Sequence, residues 1–198
     1  MPWLSSSVAS SVVAFVLLAL FLGVEPYTRK SATARSLSRG AFDHGSTLLI
    51  GSAFGVSIIV LLLTLALNAR HVGLLPAGAW LGWAGIVVML LALALRLWAT
   101  QTVGQFFTRT LLVTQDQQVV EQGPYRVIRH PGYLADIPLW IGAAVATRNA
   151  FARVAMALMM FIAYGYRIQV EEAMLRTTLG ERYSAYMAHT WRLIPLIY

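Results

Sequence analysis

Three uncharged apolar windows mark the first half of the chain, at 5–24, 45–68 and 72–95. Each supplies the roughly 20 apolar residues that cross a hydrocarbon core. In the third, Gly73 and Pro76 place the helix start near Ala77. Two shorter apolar runs follow, 137–147 and 154–166, joined by the turn-like Arg148-Asn149-Ala150-Phe151-Ala152-Arg153. Neither run alone reaches the thickness of a bilayer core at about 1.5 Å per residue. To span, the fourth helix must begin near Tyr133 and include Asp136, and the fifth must run past Tyr166 into Arg167 and Glu171. Their polar ends then sit at membrane depth, where they are tolerated only facing protein or a wet cavity. The pattern therefore predicts a pocket between the start of helix four and the end of helix five.

Composition agrees with a membrane protein. Of 198 residues, 58% are hydrophobic and 12% charged, against roughly 25% charged in a soluble domain. Mean hydropathy is +0.67. The expected fold is all-α: an integral membrane bundle of about five transmembrane helices with a pocket on the cytoplasmic side, formed by the loop before helix four and the end of helix five. It forms a single membrane domain over 1–198, with three helices and a basic linker (25–46) in 1–95 and helices four and five with the C-terminal segment in 96–198. Cysteine is absent, which removes disulfides and thiolate chemistry. The net charge of +7 comes from basic residues between apolar segments, which points to anionic lipid headgroups rather than nucleic acid. Window 5–24 lacks a preceding Lys or Arg and a clean cleavage site, so it is expected to be a retained helix, not a signal peptide.

The basic residues orient the bundle. Arg29, Lys30, Arg35 and Arg39 lie in one connection, Arg109, Arg126 and Arg129 in a second, with Arg96 at its edge, and Arg167, Arg176, Arg182 and Arg192 towards the C-terminus. These alternate correctly to share one side, and Arg70, Arg148 and Arg153 take the other. The positive-inside rule puts the richer side in the cytoplasm and the N-terminus outside. Gly51-x-x-x-Gly55 and Gly78-x-x-x-Gly82 permit close helix approach within the molecule, and a monomer is expected over a homodimer.

The densest polar set is Gly123-Pro124-Tyr125-Arg126-Val127-Ile128-Arg129-His130-Pro131-Gly132-Tyr133, answered one helix later by Arg167, Glu171 and Glu172. Pro131 disfavours helix at His130 and suits the first turn of the helix that follows. The free N–H groups and positive dipole end of that helix favour a carboxylate ligand. The plainer alternative is an interfacial anchor of Arg on phosphate and Tyr at headgroup level. Arg167 and Glu171, four apart, share a helix face. An exposed pair there gains only tenths of a kcal/mol, against about 2.5–3.5 kcal/mol for a charge at the centre of a span, so binding something polar explains them better. Glu171 can accept from ribose hydroxyls or an amine, and Arg167 can clamp a carboxylate. Asp136 is open to three readings: a cap, a partner for Arg129 or Arg126, or a ligand contact. No metal-ligand spacing occurs around His44, His71 or His189, and hydrolase, P-loop and dinucleotide-binding motifs are missing from the sequence.

At these residues the chain resembles the isoprenylcysteine carboxyl methyltransferase family and, more distantly, the phospholipid N-methyltransferases. The resemblance covers 96–195: Arg96-Leu97-Trp98-Ala99 with Gly104 and Phe106, Val119-Val120-x-x-Gly123-Pro124-Tyr125, Arg129-His130-Pro131-x-Tyr133, Glu171-Glu172-x-x-Leu175, Gly180-x-x-Tyr183-x-x-Tyr186 and Arg192-Leu193-Ile194-Pro195. It implies a small membrane enzyme that uses S-adenosyl-L-methionine and releases S-adenosyl-L-homocysteine. It further implies that Gln117, Gln118, Val119 and Val120 border the cofactor pocket, that Tyr125, His130, Pro131, Gly132 and Tyr133 line it, and that Glu171, with Glu172, binds the cofactor. Arg167 would face the acceptor carboxylate, with Arg129 beside it as the second catalytic residue. Ala135 stands where many members carry Gly.

Methyl transfer to a carboxylate needs no general base, because the acceptor is already ionised at neutral pH. Alignment and exclusion of water suffice. An amine acceptor would need deprotonating, with only His130 or a Glu to help. The expectation is O-methylation of a lipidic, membrane-embedded acceptor such as a prenylated cysteine. Phospholipid amine N-methylation and a non-catalytic lipid-binding membrane protein are the alternatives.

Overall fold

The computed structural model describes residues 2–28, 42–76, 78–104 and 119–198, with backbone only for 2–7 and 26–28. It is helical throughout: α1 (Pro2–Thr28), α2 (Ser46–Ala69), α3 (Ala79–Val103), a 3-10 turn (Gly123–Arg126), α4 (Pro131–Ala146), α5 (Ala150–Leu179) and α6 (Glu181–Ala188). Among the described residues there is no strand, only two isolated bridges, Leu74 with Asn149 and Ile128 with Trp191.

Among the described residues, four helices are long and apolar enough to cross a membrane: α1 (its Val8–Glu25 stretch), α2, α3 and α5. The chain is accordingly read as an integral membrane protein. The expected fifth crossing is shorter than the rest. α4 has 16 residues, about 24 Å of rise against a hydrocarbon core of about 30 Å. As expected, α4 takes in Tyr133 and Asp136, and α5 runs through Arg167 and Glu171 over 30 residues. The expected turn 148–153 is tighter than its composition suggests. α5 starts at Ala150 because the Asn149 side chain accepts from the Phe151 and Ala152 backbone N–H groups at 3.1 and 3.2 Å, which satisfies two orphan donors. The linker residues 29–41 and Gln118 lie outside the described residues.

α4 is the axis of the bundle. It packs on α1, α2, α3 and α5 and meets α3 most extensively. The approach of α3 to α4 is set by glycine: a Cβ at Gly85 would stand 2.5 Å from the Gly142 carbonyl oxygen and 2.6 Å from the Ala146 nitrogen. Of the two expected glycine motifs, only Gly82 contributes to helix packing, against Ser10, whereas Gly51 and Gly55 face open space. Outside the axis the usual soluble pattern is inverted. On α2 the buried positions are Ser46, Ala53, Ser57, Leu61 and Thr64, while Ile59, Leu62, Leu63 and Leu65 point outward. Small and hydroxyl side chains bind helices together where lipid offers no hydrophobic drive for association.

Candidate active site

The polar groups collect at one end of the bundle, where α1 and α3 finish, α2 and α4 begin and α5 finishes. The segment ahead of α4 is held by the C-terminal segment. The Trp191 N–H donates to the Val127 carbonyl (2.9 Å), the Arg129 N–H to that of Trp191 (2.7 Å) and the His130 N–H to that of Arg192 (3.1 Å). The Tyr186 hydroxyl donates to the Tyr125 carbonyl at 2.7 Å. Pro131 then opens α4, where a missing N–H costs nothing, and the Tyr133 and Leu134 N–H groups turn back to the His130 carbonyl.

Glu171 and Glu172 are adjacent, so about 100° of helical turn separates them and they meet different partners. The Glu172 side chain is 2% exposed. Its Oε1 accepts from Arg129 Nε at 3.0 Å and lies 3.3 Å from His130 Nε2. Its Oε2 accepts from Arg192 Nε at 3.0 Å and sits 3.5 Å from Arg176 Nη2. Arg129 also donates to the carbonyls of Met187 and Thr190. Arg129 and Glu172, expected at the chemistry and the cofactor, are thus engaged with each other and with the C-terminal segment.

Glu171 differs: 24% of its side chain is exposed. The Tyr133 hydroxyl donates to its Oε2 at 2.6 Å, and His130 Nδ1 stands 3.6 Å from the same oxygen. The His130 and Tyr133 rings stack nearly parallel, 5.4 Å between centroids and 7° between planes. Burial first, then the Glu171 charge, pushes the Tyr125 phenol up, so it remains a neutral donor. Glu171 is a partly exposed acceptor-only group beside the stacked His130 and Tyr133 rings, a combination suited to a ligand that carries hydroxyls and an amine.

Arg167 and Glu171 share a face as expected, with the Tyr133 hydroxyl between them: Arg167 Nε donates to that oxygen at 3.2 Å. Arg167 is buried, and its Nη1 donates to Asp43 Oδ1 (3.2 Å), Ser46 Oγ (2.7 Å) and Thr47 Oγ1 (3.0 Å). Asp136 resolves in favour of neither Arg126 nor Arg129: it pairs with Arg96 Nη1 at 3.1 Å and accepts from the Tyr164 hydroxyl at 2.7 Å. Arg96 also reaches Glu25 and the Gly132 carbonyl, tying α1 and α3 to the start of α4. Pro131, Gly132 and Ala135 are buried, and Val119 and Val120 half-buried. A cavity of about 450 Å³ opens on the far side of Arg129, lined by Thr190, Trp191, Arg192 and Tyr198 among others, and does not include Tyr133 or Glu171.

Sequence reasoning missed Asp43, Ser46 and Thr47, and gave Arg192 no part in the site. The first three carried a signal: an Asp followed by Ser and Thr at the head of an apolar run is helix-start chemistry. Arg192 stood in a matched block, but nothing in its spacing pointed to Glu172.

A bundle of membrane-length helices that concentrates its buried charge at one end, around stacked aromatic rings and a partly exposed carboxylate, defines a helical membrane protein. Comparison with known proteins places it further. Residues 84–177 match the model of the Isoprenylcysteine carboxyl methyltransferase (ICMT) family. A probable protein-S-isoprenylcysteine O-methyltransferase of Oryza sativa subsp. indica is 28% identical over 60% of this chain and 63% of its own length. Protein-S-isoprenylcysteine O-methyltransferase B of Arabidopsis thaliana is 24% identical over 77% of this chain and 78% of its own. The solved structure of the eukaryotic intramembrane Ras methyltransferase ICMT superposes with a TM-score of 0.61 at 25% identity, covering 94% of this chain and 64% of that one. In sequence and in fold this chain is related to the isoprenylcysteine carboxyl methyltransferases, and it spans somewhat under two thirds of the rice protein and of the solved structure.

Proposed function

We propose that this protein is an S-adenosyl-L-methionine-dependent methyltransferase that esterifies the carboxylate of a lipidic acceptor within the membrane, such as a prenylated cysteine. The observation that carries this reading is the half-exposed Glu171, oriented by Tyr133 and flanked by the stacked His130–Tyr133 pair, inside the region that matches the family.

The residues present suit the cofactor. Glu171 offers acceptors for ribose hydroxyls or the amino group, and Tyr125, His130 and Tyr133 offer aromatic surface, with Pro131 and Gly132 as backbone floor. Val119 and Val120 border the same end, and Gln118 is assigned there by the resemblance alone. Arg129 and Glu172 act as the frame: their mutual pair fixes the loop that carries His130. Arg167 supplies the positive charge that meets the acceptor carboxylate. When bound, the cofactor supplies an electrophilic methyl group, and an acceptor carboxylate oxygen takes it as the carbon–sulfur bond breaks and its electron pair stays on sulfur. No proton moves, so the chain need only align the acceptor and keep water out.

Further assignments complete the reading. α4 counts as the fifth crossing, its short span sheltered by four neighbours. Arg126, Arg129, Arg176, Arg182 and Arg192 share the site's end, against Arg70, Arg148 and Arg153 at the other, which supports a cytoplasmic site and an outside N-terminus. The chain acts as a monomer, one unit over 1–198.

Calorimetry of S-adenosyl-L-homocysteine with the purified protein in detergent tests the cofactor assignment, with His130→Ala and Glu171→Ala alongside. Saturable binding lost in both variants is expected. Absence of binding to folded wild-type protein would leave a lipid-binding membrane protein. A base-labile product marks a methyl ester, and a base-stable one marks amine methylation of a phospholipid.

A further inference from the structure

We infer that Asp43, in the turn ahead of α2, is a positioning residue that fixes the Arg167 guanidinium for the acceptor carboxylate; this rests on the reading of Arg167 given above. The two residues are 124 positions apart, and Asp43 lies outside the region 84–177 that matches the family.

The turn is built to hold a charge still. Asp43 is 1% exposed. Its Oδ1 accepts from the Thr47 hydroxyl (2.5 Å), the Ser46 hydroxyl (3.0 Å) and the Thr47 backbone N–H (3.1 Å). The carboxylate therefore cannot swing away from Arg167 without abandoning three other donors. Arg167 is held from both ends: Nη1 by Asp43, Ser46 and Thr47, and Nε by the Tyr133 hydroxyl. A planar guanidinium held at both Nε and Nη1 cannot rotate about its long axis, so the protein fixes its attitude. The same grip sets the line Asp43–Arg167–Tyr133–Glu171, which joins the start of α2 to the residues assigned to the cofactor. A single buried arginine on a 30-residue helix would otherwise have long side-chain freedom to lose on each acceptor encounter, and a preorganised one has less.

The test uses the full-length protein in detergent, with an N-acylated S-farnesylcysteine as acceptor probe and S-adenosyl-L-homocysteine as cofactor-site probe. For Asp43→Asn the expected result is an acceptor KM raised about tenfold, kcat changed less than threefold and S-adenosyl-L-homocysteine affinity within twofold of wild type. Ser46→Ala, which removes the shortest bond to Nη1 and one of the donors to Asp43, should shift KM the same way by a smaller factor. Asp43→Asn should add nothing in an Arg167→Ala background. A merely structural role would weaken both probes alike, whereas loss of thermal stability accompanies either role. An unchanged KM, a lowered KM, or an effect that adds to Arg167→Ala overturns the inference. A second readout needs no turnover: dicarbonyl labelling of Arg167, followed by peptide mass spectrometry, should be slow in wild type and at least fivefold faster in Asp43→Ala. Equal labelling rates overturn the positioning role. If wild type neither binds S-adenosyl-L-homocysteine nor methylates the probe, the methyltransferase reading fails by itself, and the labelling still decides whether Asp43 holds Arg167.

Discussion

The Tyr133 hydroxyl donates a 2.6 Å hydrogen bond to the Glu171 carboxylate while it accepts from Arg167 at 3.2 Å. One phenol oxygen thus sets the attitude of a half-exposed anion and of a buried cation. Tyr133→Phe removes both bonds and keeps the ring stacked on His130. A hydrogen bond to a charged group is worth about 1.5–3 kcal/mol, so S-adenosyl-L-homocysteine should bind at least about tenfold more weakly by calorimetry, with the fold intact. Unchanged affinity would mean that Glu171 orients itself without the phenol.

Three arginines reach Glu172, and they should not matter equally. Arg192 brings Nε and Nη2 to Oε2, each at 3.0 Å, with its side chain 30% exposed, whereas the Arg176 side chain is 50% exposed at 3.5 Å. Arg176→Ala should cost well under about 1 kcal/mol, as exposed pairs do. Glu172→Ala strands Arg129 and Arg192 around an empty centre, and removing one partner of a buried pair costs about 3–5 kcal/mol. Thermal unfolding in detergent should rank Glu172→Ala well below Arg192→Ala, and Arg176→Ala near wild type.

Asp43 also makes stability depend on pH. Burial alone would push its carboxyl up. Hydrogen bonds from the Thr47 and Ser46 side chains, the Thr47 backbone N–H and the Arg167 charge outweigh it and hold the group below its ordinary value. A depressed folded-state value means stability that is fully present above the unfolded carboxyl range, near about pH 4, and is lost as pH falls below it. The melting temperature should drop as pH is lowered from about 5 to 3, and Asp43→Asn should be less stable at neutral pH and flatter across that interval. Parallel curves for the two proteins would remove Asp43 from the account.

Glycine substitutions separate packing from bystanders. Gly85→Ala sets a methyl group against the backbone of Gly142 and Ala146, atoms that cannot rotate aside, so α3 and α4 must part at a cost of about 1–3 kcal/mol. Gly51→Ala and Gly55→Ala meet open space and should leave thermal stability unchanged or slightly raised through better helix propensity. Equal loss at all three positions would contradict the α3–α4 contact.

Four membrane-length helices, and the two polar segments that meet at one end of them, were readable in the sequence because each rests on local rules. Runs of apolar residues mark helices, Pro131 marks a helix start, and the spacing of Arg167 and Glu171 marks a shared face. What could not be read was who pairs with whom. Asp136 was open to three readings because its partner, Arg96, comes from α3, and hydropathy says nothing of rotation between helices. The first glycine motif misled for the same reason: Gly51-x-x-x-Gly55 faces open space, whereas Gly82 packs on Ser10 and the tightest contact sets Gly85 against Gly142 and Ala146. Glu171 and Glu172 are indistinguishable by spacing, and only the turn of the helix gives them different partners, Tyr133 for one and Arg129 with Arg192 for the other.

The pairing of 127–130 with 191–192 has a consequence for how the protein is made. Every described helix of membrane length precedes residues 190–192, so the bundle can be threaded into the bilayer while the loop ahead of α4 still lacks the backbone partners and the Arg192 side chain that fix it. The surroundings of Glu171 are therefore completed only after the long helices are in place, and a chain cut before residue 190 would keep those helices yet be unable to hold His130 in place.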